Sequence, residues 1–144
     1  MLHISNTDSH FSNSIVFNEI GYVRNNFKSP TDALELRKYE SLLVIFPEFE
    51  EGLHKIEENE YLQILFNFHR ENNSQLKDST YDGKLRGIFS SRCCRRPNKI
   101  GLTTVRLLGK DGPILRVSGL DALDGSPILD IKPMCEVIDG KNGF

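Results

Sequence analysis

With 144 residues, the chain is long enough for one hydrophobic core and too short for two ordinary domains. Its 38% hydrophobic and 26% charged residues are the balance of a globular protein, and 18 Lys plus Arg against 20 Asp plus Glu leave a formal net charge of -2. That charge implies no attraction to nucleic acid by the molecule as a whole, so any anion binding has to come from local clustering.

The first residues, "MLHISNTDSHFSNS", have neither the basic start nor the apolar run of a secretion signal, and read as a flexible tail over 1–14. "IVFNEIGYVRN", 15–25, alternates loosely and is rich in β-branched and aromatic residues, which predicts a strand. "SLLVIF", 41–46, is a second strand, closed by Pro47. In "EFEEGLHKIEEN", 48–59, Phe49, Leu53 and Ile56 recur at helical spacing behind Pro47, with acids in the first turn, predicting one short amphipathic helix. "YLQILFNFH", 61–69, is again a strand, and "RENNSQLKDSTYDGK", 70–84, a polar surface loop. From Leu85 onward "LRGIFSS", "GLTTVRLL", "ILRVSGLDA" and "SPILDIKPM" are short β-rich runs separated by "RRPN", "GKDG" and "LDG". The expectation is a mainly β, single antiparallel barrel over 15–138 with one short helix and a C-terminal tail over 139–144.

No run is long and apolar enough to span a bilayer. Three cysteines, two of them adjacent, make no disulfide framework and fit a reducing compartment, so the expected location is cytoplasmic. Cys93 and Cys94 cannot readily converge on one zinc ion with Cys135, His3, His10, His54 and His69 scattered elsewhere, so no metal is expected. Neither a GxG pair nor a GxxxxGK run occurs, which argues against a doubly wound nucleotide-binding domain.

Two stretches carry concentrated chemistry. Lys84, Arg86, Arg92, Arg95, Arg96 and Lys99 fall within sixteen residues among the turn formers Pro97, Asn98 and Gly101. Guanidinium groups on the rim of a sheet fork onto phosphate or carboxylate oxygens, whereas a merely solvated loop would pair with acids such as Asp121 and Asp124. In "SGLDALDGSPILDIKPM", 118–134, Asp121 and Asp124 bracket a turn at Gly125 and Pro127. Carboxylates in such a turn serve as acids or bases, hold a cationic ligand, or cap the turn.

Together "RGIFSSRCCRRPNKIGLTTVRLL", "VSGLDALDGSPILDIKPM", "IGYVRNNFKSP" and "LFNFH" resemble the tRNA methyltransferase O family across about residues 17–134. The resemblance implies a non-Rossmann β-barrel, a homodimer, S-adenosylmethionine as cofactor, and methylation of the N6 nitrogen of N6-threonylcarbamoyladenosine beside the anticodon of tRNA. It also implies cofactor contacts at Asn25, Asn26 and Phe27, at His69 and Arg70, at Arg92, at Leu102, and at Asp124, Gly125, Ser126 and Pro127. The chain departs from the family pattern with "RNNF" for "RSPF", His-Arg for His-Gln, "SRCCRRPNK" for "TRSPFRPNP" and Ser126 for Thr.

On that resemblance Phe27 and Leu102 are expected as apolar walls, an inward Arg92 as partner of the cofactor carboxylate, and Asp124 as partner of its ribose or ammonium group. Arg95, Arg96 and Lys99 are expected to steer anticodon-loop phosphates, which makes binding salt-dependent. Tyr22, Arg24 and Asp121 stand near the motifs, and no catalytic base is assigned among them. Two other classes fit the same residues: an RNA-binding barrel without catalysis, and an S-adenosylmethionine-dependent enzyme acting on a small molecule.

Overall fold

The computed structural model describes residues 13–29 and 33–143; the expected N-terminal tail falls mostly outside the described residues, as does Phe144. Eight strands form: β1 (Gly21–Arg24), β2 (Glu40–Ile45), β3 (Tyr61–Asn67), β4 (Lys77–Ser79), β5 (Leu85–Gly87), β6 (Ile100–Asp111), β7 (Ile114–Ser118) and β8 (Pro127–Pro133). Six of them close into an antiparallel barrel in the order β1-β2-β7-β6-β3-β8, while β4 and β5 make a separate two-stranded sheet. Among the described residues two four-residue helices occur, α1 (Ala33–Leu36) between β1 and β2 and α2 (Glu136–Asp139) after β8.

The strands form where apolar residues recur every second position. In β3, Leu62, Ile64 and Phe66 are buried while Gln63 and Leu65 between them are only partly so, and β2 repeats the pattern with Leu43 and Ile45. These inward residues meet Val23, Val105, Leu115, Val117 and Ile128 in one core. A barrel of this size has an interior filled by its own side chains, leaving no channel.

One strand position is set by steric necessity. Gly101 of β6 stands opposite Phe66 of β3, and a methyl group added there would lie 2.5 Å from the Phe66 ring. The register of β3 on β8 also shifts between Leu65 and Phe66, a bulge that re-aims the end of β3.

The antiparallel order decides where the loops gather. β1, β3 and β7 end, and β2, β6 and β8 begin, at the same end of the barrel. The opposite end is closed by Leu53, 4% exposed, with Ile56 packed on the core.

Three expectations are corrected. Residues 47–58 make two 3-10 turns, Pro47–Leu53 and Ile56–Glu58, in place of an amphipathic α-helix. Gly52 weakens the helix and Lys55, at φ 62, breaks it with a left-handed residue. The first strand is confined to Gly21–Arg24, because Ile15, Val16 and Phe17 are exposed and have no strand partner. The polar loop at 70–84 contains β4, whose partner β5 takes only three residues of "LRGIFSS" before a 3-10 turn, Ile88–Ser90.

Replacing Gly101 by alanine should push Phe66 out of place and destabilise the protein by about 1–3 kcal/mol. A lowered urea midpoint with unchanged slope checks this; an unchanged midpoint would show that the Phe66 ring gives way freely.

Candidate functional site

At the loop-bearing end, a cleft of about 310 Å³ is walled by Leu36, Phe66, Phe68, Ala122 and Leu123, with His69, Arg70, Glu71, Arg92, Asp121 and the two adjacent cysteines completing it. Phe68, just past β3, sets its ring edge-on against Phe66 with centroids 5.1 Å apart. The core therefore continues directly into the cleft wall. A second cleft of about 560 Å³ shares Phe66, Phe68, Arg92 and Asp121 with the first and extends along the start of β6 through Leu102 and Thr104. Asp121, on the partition between the two, accepts a hydrogen bond from the Thr103 hydroxyl through one carboxylate oxygen.

The loop from Ser91 to Lys99 shapes the mouth of both clefts. Phe68 donates its backbone N–H to the Lys99 carbonyl at 2.8 Å, and the Asn67 side chain donates to the same oxygen at 3.3 Å. Lys99 holds this place with a left-handed backbone, φ 50. Arg96 donates to the Ser91 and Cys93 carbonyls at 2.9 and 3.2 Å, bracing the loop from within. Arg95 donates to the buried Asp78 carboxylate of β4 at 2.6 Å. This bond holds the Asp78 carboxyl at a pKa of about 2, against an ordinary 3.8.

The thiols face acids as well. Cys93 donates to Asp78 at 3.4 Å and Cys94 to Glu71 at 3.3 Å. Burial, then the Glu71 carboxylate, push the Cys94 thiol up to about 12, so it stays protonated and unreactive at neutral pH. Glu71 is held below its usual range first by the Asn73 backbone N–H and then by Cys94. His69 is held low by partial burial and by the neighbouring Arg70 cation, which keeps its ring neutral at pH 7.

The residues anticipated as one cofactor set are distributed over three places. His69, Arg70, Arg92 and Ser126 line the first cleft, Leu102 with Arg92 the second, and Asn25, Asn26 and Phe27 a third cleft of about 610 Å³ between β1 and β2. The turn at 122–126 joins the first to the third. The Asn25 backbone N–H donates to the Asp124 carboxylate at 2.9 Å, its side chain donates to the Ala122 carbonyl at 3.0 Å, and Asp124 donates its N–H to the Phe27 carbonyl at 2.8 Å. Gly125, at φ 82, donates to the Val23 carbonyl at 2.7 Å and stands beside His69, 3.7 Å from its Nε2 to where a Cβ would be.

Several anticipated contacts are thus occupied by the fold itself. The Asn25 amide also bonds Ser41, and the Ser126 hydroxyl, in a residue 2% exposed, donates to the Leu123 carbonyl at 2.6 Å. Pro127 starts β8 and pairs with Tyr22. Arg92 does not turn inward: it lies exposed at the cleft mouth, where its guanidinium donates to the Leu102 carbonyl. Leu102 is on the outer face of β6, 38% exposed. Of the anticipated phosphate-steering cations, Arg96 is engaged within the loop and Arg95 with Asp78 of β4 instead of Asp121 or Asp124, while Lys99 has no ion pair among the described residues.

Phe66, Phe68 and Glu71 had not been singled out from sequence. The alternation of "LFNFH" places Phe66 and Phe68 on one face, a signal that points to the wall once the end of the barrel is known. Of the three residues near the motifs, Tyr22 sets its ring against Phe46, at the opposite end of β2, and exposed Arg24 lines the third cleft. Only Asp121 stands in the paired clefts.

The family model for the tRNA-methyltransferase O N-terminal domain matches residues 21–140. The chain belongs to this family. A relative from Pyrococcus abyssi, a probable S-adenosyl-L-methionine-binding protein, is 38% identical over 130 residues, covering 87% of this chain and 71% of its own. A tRNA (adenine(37)-N6)-methyltransferase of Mus musculus is 39% identical over 93 residues, covering 62% of this chain and 22% of its own. The crystal structure of TrmO from Pseudomonas aeruginosa superposes with a TM-score of 0.70 at 32% identity, over 88% of this chain and 58% of that one. The family's barrel is therefore the barrel described here, and the chain spans little more than half of the solved relative. Among the described residues no group of three or more His, Cys, Asp or Glu is placed to hold a metal ion, and no helix is long and apolar enough to cross a membrane.

The Asp78–Arg95 bond makes a pH prediction. A carboxyl whose folded pKa lies below its unfolded value contributes stability above about pH 4, and that contribution is lost as the pH falls towards about 2. Acid unfolding followed by circular dichroism should therefore be less steep over that range in Asp78→Asn, which should also be less stable at pH 7. Equal acid profiles for the two proteins would contradict the role given to this bond.

Proposed function

We propose that the protein is an S-adenosylmethionine-dependent tRNA methyltransferase acting on the N6 nitrogen of N6-threonylcarbamoyladenosine beside the anticodon, as a cytoplasmic homodimer. The observation that carries this reading is the pair of clefts sharing Phe68, Arg92 and Asp121 at the loop-bearing end of a barrel of the tRNA-methyltransferase O family. One cleft suits the cofactor and the other opens along β6 for a nucleobase.

The donor set fits the cofactor. Phe68 and Leu123 offer apolar surface to an adenine, the guanidinium groups of Arg70 and Arg92 match a carboxylate, and the carboxylates of Glu71 and Asp121 match an ammonium group and a sulfonium. When bound, S-adenosylmethionine supplies a methyl group on cationic sulfur, open to in-line attack. The chain's own residues then hold and orient. The aromatic walls exclude water, and a fixed near-attack arrangement is worth roughly 7–11 kcal/mol of the barrier. His69, neutral beside Gly125, offers one ring nitrogen as donor and the other as acceptor at the cleft wall.

Bound S-adenosylmethionine would give up the methyl group and keep its sulfur as a neutral thioether, and the methylated exocyclic nitrogen would have one proton to lose. On this reading the Asp121 carboxylate, shared by the two clefts, takes that proton. Its first oxygen is held by Thr103, and its second accepts no hydrogen bond among the described residues. The third cleft, bonded to the first through Asn25 and Asp124, gives a dimer partner a surface from which to complete the cofactor site.

Calorimetric titration with S-adenosylmethionine, followed by transfer of labelled methyl to tRNA with and without threonylcarbamoyladenosine, tests this reading. Wild-type protein should bind the cofactor and methylate only the modified tRNA. Arg92→Ala and His69→Ala should bind it about tenfold or more weakly. Asp121→Asn should still bind and transfer methyl about a hundred- to ten-thousandfold more slowly. Absence of cofactor binding both with and without tRNA would leave a barrel that only holds RNA; cofactor binding without methyl transfer to any tRNA would point to a small-molecule substrate.

A further inference from the structure

The β4–β5 hairpin belongs to neither the barrel nor the clefts, yet it is tied firmly to the cleft mouth. Its inner face is fixed by buried Asp78, bonded to Arg95, and by Ile88, 1% exposed, which donates to the Leu76 carbonyl at 2.9 Å; Gln75 donates to the Arg95 carbonyl at 3.0 Å. Asp78 pairs across the hairpin with Arg86, so the opposite face carries Lys77, Ser79 and Leu85.

The tip is a closed turn. Thr80 donates to the Lys84 carbonyl at 2.9 Å and Gly83 to the Thr80 carbonyl at 2.8 Å, with Gly83 at φ 76. The Asp82 carboxylate gathers the Thr80 hydroxyl, the Lys84 N–H at 3.2 Å and the Arg86 guanidinium at 3.1 Å. This ordered turn holds Tyr81 fully exposed, 101%. Leu76, Leu85 and Phe89 are also open to solvent, at 71%, 69% and 80%.

We propose that this hairpin is a second contact surface for RNA, in which Tyr81 stacks on an unpaired base while Lys84 and Lys77 meet its flanking phosphates. The inference rests on the tRNA reading above. Both hairpin acids are already paired with arginines, Asp78 with Arg95 and Asp82 with Arg86, whereas Lys77 and Lys84 have no ion pair among the described residues. Unneutralised lysines beside exposed rings suit a strand of stacked bases and phosphates, because every base offers a π-face and every linkage a charge. The core of a protein–protein contact is by contrast depleted of lysine. The bond from Asp78 to Arg95 ties the hairpin to the loop at the cleft mouth, so an RNA stacked on Tyr81 is held on the same side of the molecule as the clefts.

Fluorescence anisotropy with a labelled anticodon stem-loop RNA tests this, with cofactor titration and sedimentation velocity on the same proteins. Tyr81→Ala should bind the RNA about tenfold more weakly and Tyr81→Phe about as well as wild type, both with unchanged cofactor affinity and unchanged oligomeric state. Lys84→Ala should reduce the dependence of log affinity on log salt by about one. Wild-type protein that binds no RNA would overturn this inference and the tRNA reading together. Wild-type binding with undiminished affinity in Tyr81→Ala would overturn the hairpin's role alone, as would a Tyr81→Ala protein whose changed oligomeric state accounts for its loss, since the hairpin would then be a protein interface.

Discussion

In a closed antiparallel barrel each strand hydrogen-bonds to a neighbour on either side, so no edge stays open and the alternation of side chains separates core from surface. Every other feature of the molecule rests on this closure. It brings the ends of β1, β3 and β7 together with the starts of β2, β6 and β8, and so gathers the chemically dense loops of the chain at one end. The core does not stop there: Phe66 is buried within it, and Phe68, two residues on, makes the cleft wall edge-on to it. An apolar ligand surface arises from simple continuation of a strand's inward face.

The loop from Ser91 to Lys99 shows how a basic segment is divided between structure and exposure. Of its cations, Arg95 and Arg96 are spent on Asp78 and on the loop's own carbonyls, and Arg92 reaches the Leu102 carbonyl while remaining at the cleft mouth. Cationic density along the sequence therefore overstates the charge presented to an anion. Among the described residues, Lys99 of this loop and Lys77 and Lys84 of the hairpin are without an ion pair. The adjacent cysteines are accounted for similarly, each donating to a carboxylate, with Cys94 too strongly protonated to act as a nucleophile.

The barrel was legible where alternation is strong. β2, β3, β6, β7 and β8 lie in short runs rich in β-branched and other apolar residues, and the segments between them carry turn formers. Residues 48–59 misled because Leu53 and Ile56 face the core from two successive 3-10 turns as they would from one α-helix, while Phe49 is exposed and Lys55 bears no mark of its left-handed backbone. β4 was hidden because its three polar residues give no period, and the hairpin's anchor, Asp78 to Arg95, spans seventeen positions. At the site, the motifs that carry the resemblance gather at one end of the barrel, but the hydrogen-bond economy was not readable from spacing. Asn25 and Ser126 stand where the motifs put them, yet their polar atoms hold the 122–126 turn.

If the paired clefts hold the ligands, binding belongs to the end of the barrel where β3 leaves and β6 enters. Hydrogen exchange of the whole protein, measured with and without S-adenosylmethionine, tests it most directly. Slower exchange should appear in 66–71, 91–103 and 120–126, with the turns at 47–58 unchanged. Protection centred on 47–58, at the opposite end, would contradict the account.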